Sequence, residues 1–343
     1  MTACPRDEDE LDAGLAAPRD RTVAALRDCP GDLVVLGAGG KMGPTLARLA
    51  LAAARRADGP RPRRVFAVSR FSSPHPERTL RAAGVETVRA DLLDPGAVAA
   101  LPEAPNVIFM AGQKFGTADA PARTWMMNVV VPARCAGRYK TSRIVAFSTG
   151  NVYPLTPAAR GGAAETDPPA PTGEYAWSCL GRERVFEHAA HGGTPVALMR
   201  LNYAIDLRYG VLTDLALRVS RGDPVPLAMG HVNVIWQGDA NRAALELLPH
   251  AATTPFVLNV TGPQTLAVRT LAAELGRRLG RAPRFEGVEQ PDALLSDTSR
   301  MAATLGPPEM PLDRMLDWVA EWVREGRPLL DRPTHFEVRD GAF

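Results

Sequence analysis

Between the apolar run Leu33-Val34-Val35-Leu36 and a stretch of helical periodicity lies the turn Gly37-Ala38-Gly39-Gly40-Lys41-Met42-Gly43. A short, wholly apolar run that ends in glycines is the pattern of a strand buried on both faces of a parallel sheet. After the turn, Met42, Leu46, Leu49, Ala50 and Ala53 fall on one helix face, and Pro44 is tolerated in the first turn. Gly37 permits the tight turn, Gly40 lets backbone approach a pyrophosphate, and Gly43 lets helix and strand pack closely. The helix N-terminus then presents free N–H groups to phosphate. No Lys-Ser/Thr follows the last glycine, which excludes a Walker A loop.

The alternation continues along the chain. Strands are expected at 65–68, 86–90, 106–110, 143–147, 196–200 and 256–260. Helices are expected near 121–137, 174–190, 236–248, 267–280 and 311–325. Short strands spaced by helices require right-handed crossovers and a parallel sheet covered on both faces. The expected fold is α/β, a doubly wound parallel Rossmann-type sheet with a smaller, interleaved C-terminal substrate lobe. Its divisions are an N-terminal arm (1–30), a dinucleotide-binding domain (31–200), a substrate lobe (201–330) and a tail (331–343). The arm reads as peripheral, with a short helix at Thr22–Arg27. In the tail, the alternation of Phe336 and Val338 reads as an added strand. The Pro- and Gly-rich segment 154–173 reads as an excursion loop.

Composition narrows the function. Of 343 residues 45% are hydrophobic and 23% charged, an ordinary globular balance that excludes wholesale disorder. A net charge of +2 argues against a dedicated nucleic-acid binder. No apolar run is long enough to span a bilayer. The acidic start MTACPRDEDELDAG lacks an apolar signal core, so a cytoplasmic location is expected. Cys4, Cys29, Cys135 and Cys179 show no CxxC spacing and read as reduced thiols rather than a disulfide framework or zinc site. His188 and His191 lack a third ligand at metal spacing and read as surface residues, so no metal is expected. The arginines Arg55, Arg56, Arg61, Arg63 and Arg64 have no interleaved aromatics and read as solvated. Lysine occurs only at Lys41, Lys114 and Lys140 among 40 basic residues.

The second strand ends Val68-Ser69-Arg70, where an NAD-selective site usually carries an acid for the ribose hydroxyls. Ser69 and Arg70 suit a 2′-phosphate instead, which favours NADP while leaving NAD open. Further on come Ala90-Asp91-Leu92-Leu93-Asp94, Met110-Ala111-Gly112, Asn128-Val129, Phe147-Ser148-Thr149-Gly150-Asn151-Val152-Tyr153, Tyr175, Arg200-Leu201-Asn202-Tyr203 and Phe256-Val-Leu-Asn-Val-Thr-Gly262. In this order, with the glycine turn, residues 31 to about 325 resemble the extended short-chain dehydrogenase/reductases, the NAD(P)-dependent epimerase/dehydratase family. The resemblance implies a nicotinamide cofactor held at Gly37, Gly40, Lys41, Met42, Gly43, Ser69, Arg70, Asp91, Leu92, Ala111, Gly112, Asn128 and Tyr175. It implies a sugar-like or other polar hydroxy/keto substrate near Gln113, Asn151, Asn202, Tyr203 and Arg208, with Tyr209 in the same region. It also implies Tyr175 as acid/base, Thr149 as the orienting hydroxyl, and a homodimer. Gly150-Asn151 stands where dehydratases of the family carry an acid pair, which argues against 4,6-dehydration.

One departure matters most. The family motif is Tyr-x-x-x-Lys, and here it reads Tyr175-Ala176-Trp177-Ser178-Cys179. A free tyrosine has a pKa near ~10, so only about a thousandth is phenolate at pH 7. A neighbouring cation lowers such a pKa by ~1–3 units, and a neutral thiol does not. Three readings stay open. Another cation substitutes, with Lys114 just past the fourth strand the candidate; or the reaction needs a weaker base; or the chain is a non-catalytic NADP-binding sensor or scaffold. Cys179 as nucleophile is disfavoured, because nothing nearby in sequence would activate it.

Overall fold

The computed structural model describes residues 3–59, 63–114, 116–117, 119–330, 332 and 334–342. Its centre is a seven-stranded sheet in the order β7-β6-β5-β4-β1-β2-β3. The strands are β1 (Leu33–Leu36), β2 (Val65–Ser69), β3 (Glu86–Arg89), β4 (Asn106–Phe109), β5 (Arg143–Thr149), β6 (Val196–Leu201) and β7 (Phe256–Val260). Every neighbouring pair is parallel, with Leu33 opposite both Val65 and Asn106. This is the doubly wound Rossmann-type fold, and its strand order reverses between β1 and β4, where ligands of open α/β sheets bind.

The sheet is central because its strands are apolar on both sides. Val35, Ala67, Ile108, Val145 and Ala197 face one core, while Val34, Phe66, Val107, Ile144 and Leu198 face the other. The helix Gly43–Asp58 packs on the first face through Leu46, Leu49, Ala50 and Ala53. Phe186, on the helix Gly173–His191, packs on the second, edge-on to Phe109 at 5.2 Å. A third core fills the C-terminal lobe, built on the helices Val211–Arg221, Val268–Leu279 and Leu312–Arg324. Trp318 and Trp322 of the last helix are buried there, Trp318 edge-on to Trp236 at 6.0 Å. The longest described helix has 19 residues, and no described helix is long and apolar enough to cross a membrane.

Three expectations need correction. The N-terminal arm is not peripheral. Its helices Glu8–Leu15 and Asp20–Asp28 bury Leu11 and Leu15 in the C-terminal core, and Val23 and Leu26 against the sheet's first face. Arg19 and Thr22 both bind the buried Glu246, at 2.6 Å each, so the arm carries polar as well as apolar anchors. Arg63 is not solvated: it is buried, paired with Asp58 at 2.6 Å and bonded to the Cys29 carbonyl. Arg61 lies outside the described residues. The tail forms no strand across 334–342. Val338 N–H donates to His335 O at 3.2 Å, which closes a turn where a strand would need an extended partner, while Phe336 is buried in the C-terminal core.

Candidate functional site

A cleft of about 410 Å³ opens at the carboxyl ends of β1, β4, β5 and β6. Its first wall is the glycine turn, with Gly37, Gly40, Lys41 and Met42 on the surface of the cleft. Gly37 has φ 91°, and a Cβ there would lie 2.6 Å from the Ala111 backbone nitrogen. The turn can therefore pack against the end of β4 only as glycine. No side chain caps the helix that begins at Gly43, so its first N–H groups remain available to an anion. Glycine backbone against an open helix N-terminus fits the pyrophosphate of a dinucleotide.

The other expected cofactor residues are spread around this wall. Ser69 ends β2 next to Gly39, and its hydroxyl accepts from Phe71 N–H at 3.4 Å. Arg70 follows it, exposed and outside the cleft lining. Asp91 is exposed after β3 and accepts from Leu93 N–H at 3.0 Å, whereas Leu92 is buried in the second core. Ala111 is buried beneath the turn, and Gly112 lines the cleft.

Asn128 is not on the cleft surface but holds it together. It lies in a π-helical turn, Met126–Val130, inside an otherwise α-helical run over 121–138. Its Nδ2 donates to the Gln113 carbonyl and to Ser178 Oγ, both at 2.9 Å. Its Oδ1 accepts from Gln113 N–H at 2.9 Å and from Arg182 Nη2 at 2.7 Å. One buried amide thus ties the loop after β4 to the helix Gly173–His191.

That helix carries the reacting candidate. Tyr175 lines the cleft together with Thr149, the last residue of β5, and packs against Cys179; both neighbours act on its phenol. Thr149 Oγ1 accepts from Asn151 N–H at 3.2 Å and Asn151 Nδ2 at 3.0 Å, which fixes its hydroxyl in the cleft. Burial pushes the Tyr175 phenol far above its ordinary value, with Cys179 adding to the rise; Arg182 and Thr149 oppose it. Cys179 is fully buried and its thiol is likewise pushed up by burial, so it packs rather than reacts.

Arg182 is the residue that sequence reasoning missed. Tyr175, Cys179 and Arg182 are spaced i, i+4 and i+7, which is one helix face, so the signal was present. Its Nη1 donates to the Phe147 carbonyl at 2.9 Å, and the guanidinium lines the cleft. A Cβ at Gly112 would collide with that guanidinium and lie 2.9 Å from Asn128 Oδ1. Lys114, expected to supply the missing charge, does line the cleft. Burial pulls its amine down to about 8, and its charge is felt by Cys179; Arg182 is the cation that lowers Tyr175.

The far wall belongs to the C-terminal lobe. Asn202 and Tyr203 line it, with Tyr209 beside them, and Gln113 after β4 and Asn151 after β5 line the cleft from the sheet side. Tyr203 holds φ 39°, a left-handed conformation rare for a bulky residue, and its hydroxyl reaches the Phe336 carbonyl at 3.4 Å. Arg208 does not join them. It is clamped between Asp12 at 2.9 Å and Asp206 at 3.1 Å, stapling the N-terminal helix to the lobe. Lys41 departs from its expected role as well: its amine donates to the Ala204 carbonyl at 3.2 Å and lies 4.2 Å from the Tyr209 ring centre, away from the turn that bears it. The tail adds Arg332 and Thr334 to the lining. Thr334 is held by Asp214 through its N–H at 2.8 Å and its hydroxyl at 2.6 Å.

No protein-family model matches the chain, and no curated protein matches it. Solved structures do. MoeE5, in complex with UDP-glucose and NAD, has TM-score 0.69 and 21% identity over 86% of this chain and 99% of its own. UDP-glucose 4-epimerase from Thermotoga maritima, with UDP-glucose, has TM-score 0.68 and 19% identity over 86% and 99%. UDP-glucuronic acid 4-epimerase from Bacillus cereus, as a tyrosine-to-phenylalanine mutant with a fluorinated UDP-sugar and NAD, has TM-score 0.70 and 14% identity over 86% and 99%. At these identities the likeness is one of fold.

Proposed function

We propose that the chain is a nicotinamide-dinucleotide-dependent oxidoreductase acting on a sugar-like hydroxy or keto substrate. The observation that carries this is the meeting of Thr149 and Tyr175 in one cleft with the glycine turn. The structurally similar proteins, solved with NAD and UDP-sugars, support it. When bound, the dinucleotide supplies hydride exchange at its nicotinamide, with the pyrophosphate at Gly37, Gly40 and the helix that starts at Gly43. The exposed Arg70 beside Ser69 favours the 2′-phosphate of NADP, with NAD the alternative.

The protein's own part is proton movement and positioning. Thr149 orients the substrate oxygen, and Tyr175 Oη takes its proton as the carbinol carbon gives up hydride. In the reverse direction the protonated phenol donates. Its raised pKa suits the donating role, and Arg182 offsets part of the cost of the phenolate. Return of hydride to the opposite face would make the net reaction an epimerisation. We also propose a homodimer through the helices over 121–138 and Gly173–His191, where Trp125, Met126 and Trp177 stand exposed.

The test follows absorbance at 340 nm after mixing protein and NAD⁺ or NADP⁺ with aldoses, uronates and polyols. Turnover is expected, and Tyr175→Phe should lower it by ~10²–10⁴-fold with dinucleotide affinity retained. Equal turnover in both proteins would remove Tyr175 from the chemistry. Dinucleotide binding with neither an absorbance change nor an epimerised sugar detected by NMR anywhere in the panel would favour a non-catalytic sensor.

A further inference from the structure

Every charged residue among the described lining of the cleft is a cation. These are Lys41, Lys114, Arg182 and Arg332, and no Asp or Glu lines it. The chain as a whole is nearly balanced, at +2, and has only three lysines. Two of those three meet here. Arg182 is occupied behind Tyr175, with Phe147 and Asn128 as its partners. The lysines face elsewhere. Lys41 leaves the glycine turn for the Ala204 carbonyl and the Tyr209 ring, both on the C-terminal lobe. Lys114 interacts with Asp214 of that lobe and with Cys179 beside Tyr175.

The nearby carboxylates act on this wall from outside the cleft lining: Asp214 favours the charged form of both lysines and Asp206 that of Lys41. Asp206 is fully buried and paired with Arg208 at 3.1 Å. Asp214 is held by two hydrogen bonds from Thr334. Burial holds both lysine amines at about 8, and the charge of Lys114 adds to the cost at Lys41. A cleft lined by one sign of charge concentrates ligands of the other sign. An oxyanion there would add charge-assisted hydrogen bonds to the two lysines.

We infer that Lys41 and Lys114 form an anion subsite beside Thr149 and Tyr175, so that the substrate bears a carboxylate or a phosphate ester on its reacting end. This rests on the hydride-transfer reading for the identity of the reacting pair. The inference assigns the lysines to the substrate and not to the dinucleotide.

The experiment titrates the NADH-loaded protein with D-glucuronate, D-glucose 6-phosphate and D-glucose, following the fluorescence of bound NADH. The same titrations are run on Lys41→Met and Lys114→Met, with thermal melts to establish that both variants are folded. At least one of the two acids should bind about tenfold or more tightly than glucose, and each variant should lose that advantage, as expected for a lost charge-assisted bond. NADH affinity should stay within about threefold, since that interaction is made elsewhere. A preference for glucuronate assigns a carboxylate, and one for the 6-phosphate a phosphate ester. Equal binding of acids and glucose, acid affinity retained in both variants, or a parallel loss of NADH affinity would overturn the subsite. If wild type binds NADPH but not NADH, the same titrations are read with NADPH; if it binds neither, the hydride-transfer reading falls, and the acids' affinity for the protein alone decides the subsite.

Discussion

Arg182 Nη2 donates to Asn128 Oδ1 across 2.7 Å, and this bond fixes a cation two helical turns beyond Tyr175 in the same cleft. The position four residues after Tyr175 is a buried thiol. The charge that lowers the phenol therefore comes from one turn further along the helix face, reached because Gly112 leaves room for the guanidinium.

Arg182→Gln should raise the Tyr175 pKa in the working complex, because it removes the cation that favours phenolate. The alkaline rise of kcat/KM for substrate oxidation then moves to higher pH, and the rate at pH 7 falls about tenfold for each unit moved. Arg182→Lys should restore part of the shift. Lys114→Met should leave the position of that rise in place, and a rise moved by Lys114→Met but not by Arg182→Gln would reverse the assignment.

Gly112→Ala places a methyl where the Arg182 guanidinium lies. The pH profile of this variant should move in the same direction as that of Arg182→Gln. An unmoved profile, together with a normal melting curve, would show that the guanidinium does not need this opening.

Behind the cleft, Glu183 is fully buried and bonded to Arg200 at 2.7 and 2.9 Å and to Ser148 at 2.5 Å. Arg200 in turn donates to Tyr153 Oη at 2.7 Å. Glu183→Ala leaves a buried guanidinium uncompensated, which costs ~3–5 kcal/mol in comparable pairs. Chemical denaturation should show a loss of that size. A loss under about 1 kcal/mol would mean that water or rearrangement replaces the carboxylate.

The lysines give stability a definite pH dependence. Their folded pKa values, about 8, lie below the ordinary lysine value of 10.5. Between those limits the unfolded chain binds more protons, so stability rises with pH through this window. Below pH 8 both amines are charged and the cost is present in full. Thermal melts from pH 7 to 10 should show wild type gaining on a Lys41→Met/Lys114→Met double variant. Parallel curves would mean that the amines are not desolvated.

Much of this architecture was legible in the chain. Six of the seven strands could be read because each carries an apolar run of three or four residues, and a buried parallel strand admits little else; β3, Glu-Thr-Val-Arg at the sheet edge, is the exception. The helix Val211–Arg221 escaped notice because it sits among short irregular segments where periodicity has no flanking strand to confirm it. The helix Glu8–Leu15 buries only Leu11 and Leu15 and is otherwise acidic, though Asp7 caps it by accepting from Glu10 N–H at 2.9 Å. The glycine turn, Thr149 and Tyr175 were readable because their chemistry depends on local sequence. The direction of Lys41 was not, since its partner Ala204 lies 163 residues away. Arg208 shows the converse: its position suggested a ligand contact, and its three acidic partners make it a clamp.

Every catalytic role proposed above depends on the glycine turn binding a nicotinamide dinucleotide against Tyr175. Native mass spectrometry of freshly purified protein, followed by calorimetric titration with NADPH and NADH, addresses this directly. One dinucleotide per chain is expected, with NADPH the tighter ligand and that preference lost in Arg70→Ala. Failure of both dinucleotides to bind folded protein would contradict the proposed function at its root.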